Sequence, residues 1–514
     1  MKNGAERRFT LFSWLILILL SGLSTAVIGQ GKTKIKFQAD NIEYDEALGK
    51  KAKRLIGHVI FEHKGVIMYC DSAYQYPERN SLDAFGKVHI VQGDSLDMYC
   101  DSLHYDGESE IFNCKNNVVL DNKNIHLETD YLIYDRLKDL GYYLGGGEIT
   151  NREDESILTS LRGYYYTQRD QFYFKKDVHY VHPEFEIFAD TLLYNAEQKQ
   201  TDFAGPTDIY ADSSHIFCED GFFNSKTKLS EYRINASIKT GSRVIGGDTI
   251  YYNSVNKFGR ILGNVDILDT AEDIRVLGHW AVLFEDRDSA VVTDRSELQQ
   301  IMDGDTLFLH ADTFRVFSVR HDSVEGRMLL AYHHIRFFKV DLQGKCDSLV
   351  YHFLDSAIKM YHDPILWSAE NQITGKYIQL NTTSRGIETM DIEEDAFVNS
   401  LVDSIRFNQI RGKRMTGYFI KSQLDKIHVV GNGQTIYYAQ DKEDKYIGVN
   451  RGESSDLIIK MKESEVNQIS YINDANATFF PMDELKPEEL RLKGFRWRIK
   501  LRPVSREDIF NWVD

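Results

Sequence analysis

A short residue frame recurs along most of this chain and limits what it can fold into. The frame is an apolar alternation, a small residue, an aspartate and a second apolar alternation ending in an aromatic residue. The first copy places Ala39 before Asp40 and ends at Tyr44. The other clear copies are anchored at Asp101, Asp130, Asp190, Asp248, Asp312, Asp347 and Asp403. Degraded copies are anchored at Asp71, Leu161, Glu219, His279, Lys376 and Gln434. Anchors about 27 to 35 residues apart predict about 13 to 14 stacked units that bury their apolar faces against one another.

The residues on both sides of the aspartate alternate with the period of a β-strand. Before Asp40 the apolar side chains occupy odd positions, as in Ile35 and Phe37, whereas after it they occupy even positions, as in Ile42 and Tyr44. In a straight strand this change of parity would move the apolar set to the opposite face. A β-bulge or a sharp bend at the aspartate would keep the set on one side. The pattern therefore predicts strands that turn a corner around an apolar interior.

A second anchor, usually rich in Gly or Asn, falls between successive aspartates. Its copies are Gly57-His58-Val59, Gly86-Lys87-Val88, Asn116-Asn117-Val118, Gly147-Glu148-Ile149, Lys176-Asp177-Val178 and Gly263-Asn264-Val265. Gly and Asn tolerate a positive φ, so we predict a tight turn here that leads into a second strand. Each unit is then a hairpin-like pair of strands. The stacked units predict an elongated, all-β solenoid of two facing sheets or one rolled sheet.

The N-terminal residues 1–29 have the pattern of a secretory signal peptide. Lys2, Arg7 and Arg8 precede an apolar stretch from Leu11 to Leu20, and small residues follow. The segment is either cleaved or kept as a membrane anchor. In both cases the body of the protein leaves the cytoplasm.

The charge of the chain excludes one class of partner. The 514 residues carry a formal net charge of −17, and without residues 1–29, whose net charge is +2, the charge is −19. Such a surface repels phosphate backbones, so we predict no nucleic-acid partner. The five cysteines are scattered without a CxxC pair, which predicts buried packing residues and not a metal or redox centre.

The alternation of the small-Asp-x-apolar-x-Tyr frame with Gly-x-Val resembles the OstA-like, LptA-type repeat over residues 35 to 445. That family includes periplasmic lipopolysaccharide-transport bridge proteins and the N-terminal part of the outer-membrane lipopolysaccharide assembly protein. The resemblance implies a twisted β-jellyroll whose sheets enclose a groove for acyl chains. Together with the signal peptide it implies a periplasmic location in a Gram-negative cell envelope, with association with the outer membrane as an option. It also implies partners: lipopolysaccharide or another envelope lipid, other jellyroll transport proteins stacked edge to edge, and the outer-membrane assembly protein. The number of units exceeds that expected of a simple bridge protein.

We divide the chain into residues 1–29, the signal peptide; 30–445, the jellyroll repeats; and 446–514, an end repeat with a basic cap. The predicted groove would be lined by the inward residues of the frame. These are Phe37, Ile42, Met98, Leu103, Ile125, Leu127, Leu132, Phe185, Ile187, Leu192, Ile250, Leu307, Leu309 and Phe314. The alternative is that they pack against each other in a filled core. The protein would then be a structural or adhesive solenoid that binds protein or glycan on its outside.

The C-terminal region differs in pattern from the repeats. Apolar residues from Phe495 to Leu501 alternate with basic ones, which predicts a strand with one strongly basic face. The basic residues are Arg496, Arg498, Lys500 and Arg502. This face suits phosphate groups, an anionic membrane surface or an acidic partner, or it is a solvated edge that discourages aggregation. Before it, residues 482–490 are expected to form a short helix or loop.

The repeated aspartates do not indicate an active centre. Catalysis needs a few unlike groups at one place, whereas a motif copied in every unit forms a ladder. We expect each aspartate to bond backbone N–H groups at the bend. The sequence also contains no nucleophile elbow, P-loop or dinucleotide fingerprint. We therefore predict a non-enzymatic protein without metal or cofactor.

Overall fold

The computed structural model describes residues 34–44, 52–93, 96–121, 125–302, 304–321, 324–383, 386–420, 423–441, 445–462, 465–482 and 490–513. The predicted signal peptide and most of the segment before the basic cap lie outside these residues. The described part is dominated by β-strands, which confirms the all-β prediction. Within it, no helix has the length and apolar character needed to cross a membrane.

The strands follow one another as an antiparallel meander. They are β1 (Lys36–Gln38), β2 (Asn41–Tyr44), β3 (Lys53–His63), β4 (Val66–Tyr76), β5 (Ser81–Gln92), β6 (Leu96–Asp106), β7 (Ile111–Asp121), β8 (Ile125–Asp135), β9 (Leu140–Tyr143), β10 (Gly147–Asn151), β11 (Ile157–Ser160), β12 (Arg162–Tyr166), β13 (Gln171–His182), β14 (Phe185–Asn195), β15 (Gln200–Ala211), β16 (Ser214–Asn224), β17 (Leu229–Thr240), β18 (Arg243–Asn253), β19 (Phe258–Asp269), β20 (Ile274–Phe284), β21 (Ser289–Thr293), β22 (Glu297–Met302), β23 (Asp305–His310), β24 (Thr313–His321), β25 (Val324–Lys339), β26 (Leu342–His352), β27 (Ala357–Tyr361), β28 (Ile365–Ser368), β29 (Asn371–Thr374), β30 (Tyr377–Thr383), β31 (Gly386–Leu401), β32 (Phe407–Ile420), β33 (Gln423–Gln440), β34 (Tyr446–Lys462), β35 (Glu465–Ile472) and β36 (Asn476–Pro481). Short 3-10 turns occupy Glu285–Arg287, Ile499–Leu501 and Glu507–Phe510.

Most strands bend at their middle and belong to two sheets at once. In β13, for example, residues 171–175 pair with β12, whereas residues 179–181 pair with β11. We call sheet 1 the half that contains hairpins such as His63–Val66, and sheet 2 the half that contains hairpins such as Tyr76–Ser81. The two sheets meet at a line of corners and face each other across the apolar interior. This is the two-layered, elongated architecture that the parity change predicted.

The corner is built from the two anchors of the repeat. The register slips between Ala189 and Thr191 on β14, opposite Gly205 on β15, so one residue faces two on its partner. At the equivalent corner Gly263 has φ +67°, and a Cβ atom there would lie 2.2 Å from Asp248 Oδ2. The prediction that the second anchor is a turn between strands is therefore wrong. The positive φ bends a continuous strand and does not reverse it.

The repeated acidic residues bond side chains across the corner. Asp40 contacts His58 at 2.7 Å, and the Asn264 amide donates to Asp248 at 2.9 Å. His333 and His334 occupy a later corner, where they contact Asp347 at 2.9 Å and Asp312 at 2.8 Å. The carboxylates of these pairs thus bond the neighbouring strand's corner side chain, whereas the sequence predicted backbone N–H groups as their partners.

The inward positions predicted from the frame lie inside the sheets with one exception. The side chain of Ile42 is 47% exposed, so its inward placement is wrong. The strand that carries it, β2, lies at the end of the meander and pairs with β3 alone among the described strands, so no second neighbour covers it. All five cysteines are free and buried, as predicted, and burial raises the pKa of the Cys70 and Cys218 thiols to about 12.

Candidate functional site

The interior opens into a groove in the C-terminal part of the meander. Strands β31 to β34 are 14 to 18 residues long, whereas β3 to β8 have 11 or 12 residues. Between them lies a cavity of about 730 Å³, within the range typical of ligand-binding pockets. Its apolar lining includes Leu307, Leu309, Ile358, Met360, Leu380, Met390, Ile410, Met415, Phe419, Leu424, Ile427, Met461 and Ile469.

The interior of the N-terminal half is largely filled. A cavity of about 40 Å³ next to Ile125, Leu127 and Leu132 is little larger than one water molecule. Of the predicted groove residues, Leu307 and Leu309 line the large groove. Apart from the exposed Ile42, the others pack in continuous apolar clusters: Phe37, Met98, Leu103, Leu127 and Leu132 in the first, Ile125, Phe185, Ile187, Leu192 and Ile250 in the second, and Phe314 in the third. For these residues the structure has the filled-core arrangement.

Most of the groove lining was missed by the sequence reasoning. The aspartate frame, on which the predicted groove residues depended, is degraded at Lys376 and Gln434. The alternations Met415-x-Gly417-x-Phe419 and Ile459-x-Met461 could have indicated these inward positions. Strand length was the further clue, because a longer strand extends both sheets away from the corner and leaves more interior to fill.

The hairpins of the two sheets lie on the side away from the corners, and we call the gap between them the mouth. An ionic cluster bridges the mouth near the N-terminal end. Lys64, in a hairpin of sheet 1, forms an ion pair with Glu110, in a hairpin of sheet 2. Arg136, in the next sheet 2 hairpin, binds Glu110 at 2.5 Å and donates to the Lys64 carbonyl oxygen at 3.0 Å. Below it, His63 and the Tyr105 hydroxyl form a hydrogen bond of 2.7 Å. We call Lys64, Glu110 and Arg136 the first clasp.

A second clasp closes the mouth immediately before the groove. Arg243 and Asp269 belong to hairpins of sheet 1 and form an ion pair at 3.3 Å. Asp288, in a hairpin of sheet 2, lies 3.8 Å from Arg243 and 3.7 Å from Arg327. Arg327 also reaches Asp269 at 3.7 Å. The apolar groove thus begins where this set of cross-mouth ion pairs ends.

The predicted basic strand is not a strand. Residues 490–513, which we call the strap, run as an irregular segment with two 3-10 turns across the outside of sheet 1. Adjacent residues of a strand point to opposite faces of the sheet. Ile373 lines the groove and its neighbour Gln372 binds the strap, so the strap lies on the outer face. The physical reason is that glutamine side chains of the sheet satisfy the strap backbone, which therefore needs no strand partner.

Two glutamines hold the strap backbone in the same way. The Gln372 amide donates to Arg496 O at 2.7 Å and accepts from Arg498 N at 2.6 Å. The Gln409 amide donates to Leu490 O at 2.9 Å and accepts from Leu492 N at the same distance. Each amide thus replaces the pair of hydrogen bonds that an antiparallel strand would supply.

The basic side chains of the strap divide between two environments. Arg498 forms an ion pair with Asp363, and Arg502 donates to Gln343 Oε1 at 2.8 Å. Arg496 and Lys500 are exposed. The four residues therefore do not form the single basic face that the alternation predicted. Arg506, which the sequence reasoning did not single out, binds buried Glu297 through two hydrogen bonds of 2.8 and 3.0 Å.

The fold and the groove define an elongated, two-sheeted β-jellyroll with an apolar interior that opens at one part of its length. Residues 32–190 match the family model described as OstA-like protein. Over these residues the chain resembles the OstA-like family, as the repeated frame indicated. The match ends at the corner formed by Asp190, but the bent strands continue in the same manner to β20 and, with breaks, to β34.

Two other comparisons complete this result. A search of curated protein sequences finds no match. Among solved structures, similarity is found to the crystal structure of LptH from Pseudomonas aeruginosa, described as the LptA homologous periplasmic component of the conserved lipopolysaccharide transport device. The sequence identity is 13% and the TM-score 0.22, and the alignment covers 27% of this chain and 95% of LptH.

Proposed function

We propose that this protein binds the acyl chains of lipopolysaccharide, or of another envelope lipid, and serves in lipid transport to the outer membrane. The observation that carries the proposal is the apolar groove of about 730 Å³ in its C-terminal half. Burial of one acyl methylene contributes about 0.8 kcal/mol, so a chain of ordinary length can be held without a charged contact. The match of residues 32–190 to the OstA-like family model supports the periplasm as the place where this occurs.

The N-terminal half is proposed to act as an arm that contacts partner proteins. Its core is filled and its mouth is bridged by the first clasp, so it resembles the scaffold that the sequence left as an alternative. The terminal strand of this half, β2, exposes Ile42 and Tyr44. At the C-terminal end of the whole meander, β36 exposes Phe479. Uncovered strands of this kind can pair with the strands of another jellyroll. We propose transport proteins of the same fold and the outer-membrane assembly protein as these partners.

We propose binding without catalysis. The charged residues of the groove lining, Lys339, Asp341 and Glu370, lie at or beside the hairpins of the mouth. Lys339 is 2.8 Å from Asp341, so these two groups neutralise each other. Most of the other lining side chains are aliphatic, Met or Phe, with uncharged polar groups such as Thr435 and Tyr437 among them, which favours a ligand that is held by apolar contact.

A photo-crosslinking residue in cells tests the proposal. Phe419 lines the groove, whereas its neighbour Tyr418 points outward beneath the Lys426 ammonium. The two positions are both aromatic and are matched in location along β32. We expect lipopolysaccharide adducts on the purified protein with the crosslinker at Phe419 and none at Tyr418 or at Phe185 in the filled half. Equal labelling at all three positions, or none at Phe419, would contradict lipid binding in the groove.

A charge inside the groove should block the ligand. Met461 is a partly buried lining residue, and Lys460 beside it is exposed. Met461→Glu is expected to weaken binding of a fluorescent fatty acid at least about tenfold, because an acyl chain cannot compensate the desolvation of a carboxylate. Lys460→Glu is the matched control and should bind as the unchanged protein does. Circular dichroism shows whether both variants keep the fold, and equal affinities in the two folded variants would contradict the proposal.

A further inference from the structure

The outer face of sheet 1 is covered in one half of the molecule and open in the other. The strap covers it from Gln409 on β32 back to Glu297 on β22. From β4 to β16 the strands of the same sheet continue in register, but the outward side chains there include exposed aromatic residues. These are Tyr69, Tyr99, Phe188 and Tyr210. One continuous face therefore has a docked segment at one end and none within the described residues at the other.

The open part repeats a small motif, an acidic residue two positions before an aromatic one on the same strand. Its copies are Asp97-Met98-Tyr99, Glu186-Ile187-Phe188 and Asp208-Ile209-Tyr210. The middle residue of each copy is buried, so the acidic and aromatic side chains point outward together. Each motif offers a carboxylate and a ring to the same ligand.

In each copy a histidine from a neighbouring strand orients both the carboxylate and the ring of the motif. His89 stacks on Tyr99 at 4.3 Å and bonds Asp97 at 2.8 Å. On β13, His179 stacks on Phe188 at 4.4 Å and bonds Glu186 at 2.7 Å. The third copy has His215, which stacks on Tyr210 and bonds Asp208 at 2.7 Å. The exposed fractions of the three acidic side chains range from 39% for Asp208 to 50% for Asp97, so the carboxylates are available to a partner.

The strap shows what such a pair of groups binds. Glu297 holds the Arg506 guanidinium through two hydrogen bonds, and the ring of Phe308 lies 5.0 Å from the same guanidinium. Carboxylate and aromatic face together recognise Arg, because the planar cation accepts a bidentate carboxylate and stacks on a ring.

The three open motifs present the same two groups, and strands β4 to β16 carry no Arg or Lys among the outward side chains of this face. The nearest cations lie at its borders: Arg152, after β10, binds Asp121, and Lys239 on β17 is opposite His215.

We propose that the open face of sheet 1, from β4 to β16, is a docking surface for an extended basic and aromatic polypeptide segment of a partner protein. The segment crosses the strands as the strap does, and its Arg or Lys side chains bind the three acidic and aromatic motifs. The charge of the surface is complementary to such a segment, and its continuity with the face under the strap supplies the geometry. This proposal does not depend on lipid binding.

A synthetic peptide with the sequence of residues 490–513, fluorescently labelled, serves as the probe. The intact protein already holds its own strap, so additional binding reports on the open face. We expect saturable binding at 50 mM salt that weakens at least about tenfold at 500 mM salt. A peptide with its Arg and Lys residues replaced by Glu should not bind.

The double variant Glu186→Gln, Asp208→Asn locates the peptide. It should weaken binding at least about tenfold, because the amides keep the histidine contacts but remove the charge. Asp83→Asn, Asp202→Asn is the matched control, since these carboxylates point outward from strands β5 and β15 in sheet 2. An absence of peptide binding overturns the proposal. Peptide binding that the first pair of substitutions leaves unchanged overturns it too, since the peptide would then displace the strap. Binding that the control pair weakens equally also overturns it, since the peptide would then bind by charge at any place on the surface.

Discussion

Replacement of Trp367 with alanine is expected to lower the free energy of unfolding by about 3–5 kcal/mol, the largest effect of a single side chain that we anticipate. Trp367 is 0% exposed and lies under the strap on the outer face of sheet 1. Its partners across the strands are Gln343 and Gln372, which both bind strap residues. The cavity left by the indole would therefore separate the strap from the sheet. Urea unfolding gives the size of the loss.

The same variant should show where stability is lost. In a meander each strand contacts its immediate neighbours, so the effect is expected to stay local. Hydrogen exchange should become faster in β26 to β31 and in the strap, whereas β4 to β8 should be unchanged. Trp280→Ala, at a half-buried position on β20, is the control and should cost clearly less. Uniform acceleration along the whole chain would show that the strap is not a local element.

Glu110→Gln tests the first clasp. Glu110 is 3% exposed and is bound by Lys64 and Arg136 from two other hairpins. The amide keeps the size of the side chain but loses two charge-assisted contacts, so we expect the N-terminal half to lose about 2–4 kcal/mol. Urea unfolding at pH 7, followed by hydrogen exchange of β3 to β8, measures the change.

The pH dependence of this loss has a defined sign. Burial alone would raise the pKa of Glu110, but the hydrogen bonds and charges of Lys64 and Arg136 outweigh it and hold the pKa below the ordinary value of 4.5. A lowered pKa in the folded state stabilises the fold above the unfolded pKa, and this contribution is lost as the pH falls through the folded pKa. The difference between Glu110→Gln and the unchanged protein should therefore be full at pH 7 and shrink below about pH 4.5. A difference that is independent of pH would show that the glutamate acts through packing alone.

The two clasps and the groove divide the molecule into a filled N-terminal part and an open C-terminal part. The clasps join the hairpins of sheet 1 to those of sheet 2 where the core is filled, so the N-terminal half is a closed arm. Beyond the second clasp the longer strands leave an open apolar interior. The strap lies across the strands that build this interior, from β22 to β32, and supports sheet 1 from outside.

Several features of the fold could be predicted because they depend on neighbours in sequence. The alternation around Asp40 and its later copies predicted bent strands, since a change of parity at one residue is a local signal of a corner. The burial of Cys70, Cys100 and Cys346 followed from their small-residue position in the frame. The second anchor was misread as a turn because a positive φ at Gly57 and His58 has the same local signature in a turn and in a corner.

What the sequence by itself determined is the character of the chain: all-β, repetitive, acidic, with one set of side chains directed inward. Only the tertiary structure decided where the interior is filled and where it is open, because alternation states which way a side chain points and not how far away the opposite sheet lies. Met98 and Leu309 obey the same frame, yet one packs in a closed core and the other lines the groove. The strap was undecidable for the same physical reason. Its conformation depends on Gln372 and Gln409, which are about 80 to 125 residues away in sequence and meet it only after the sheet has formed.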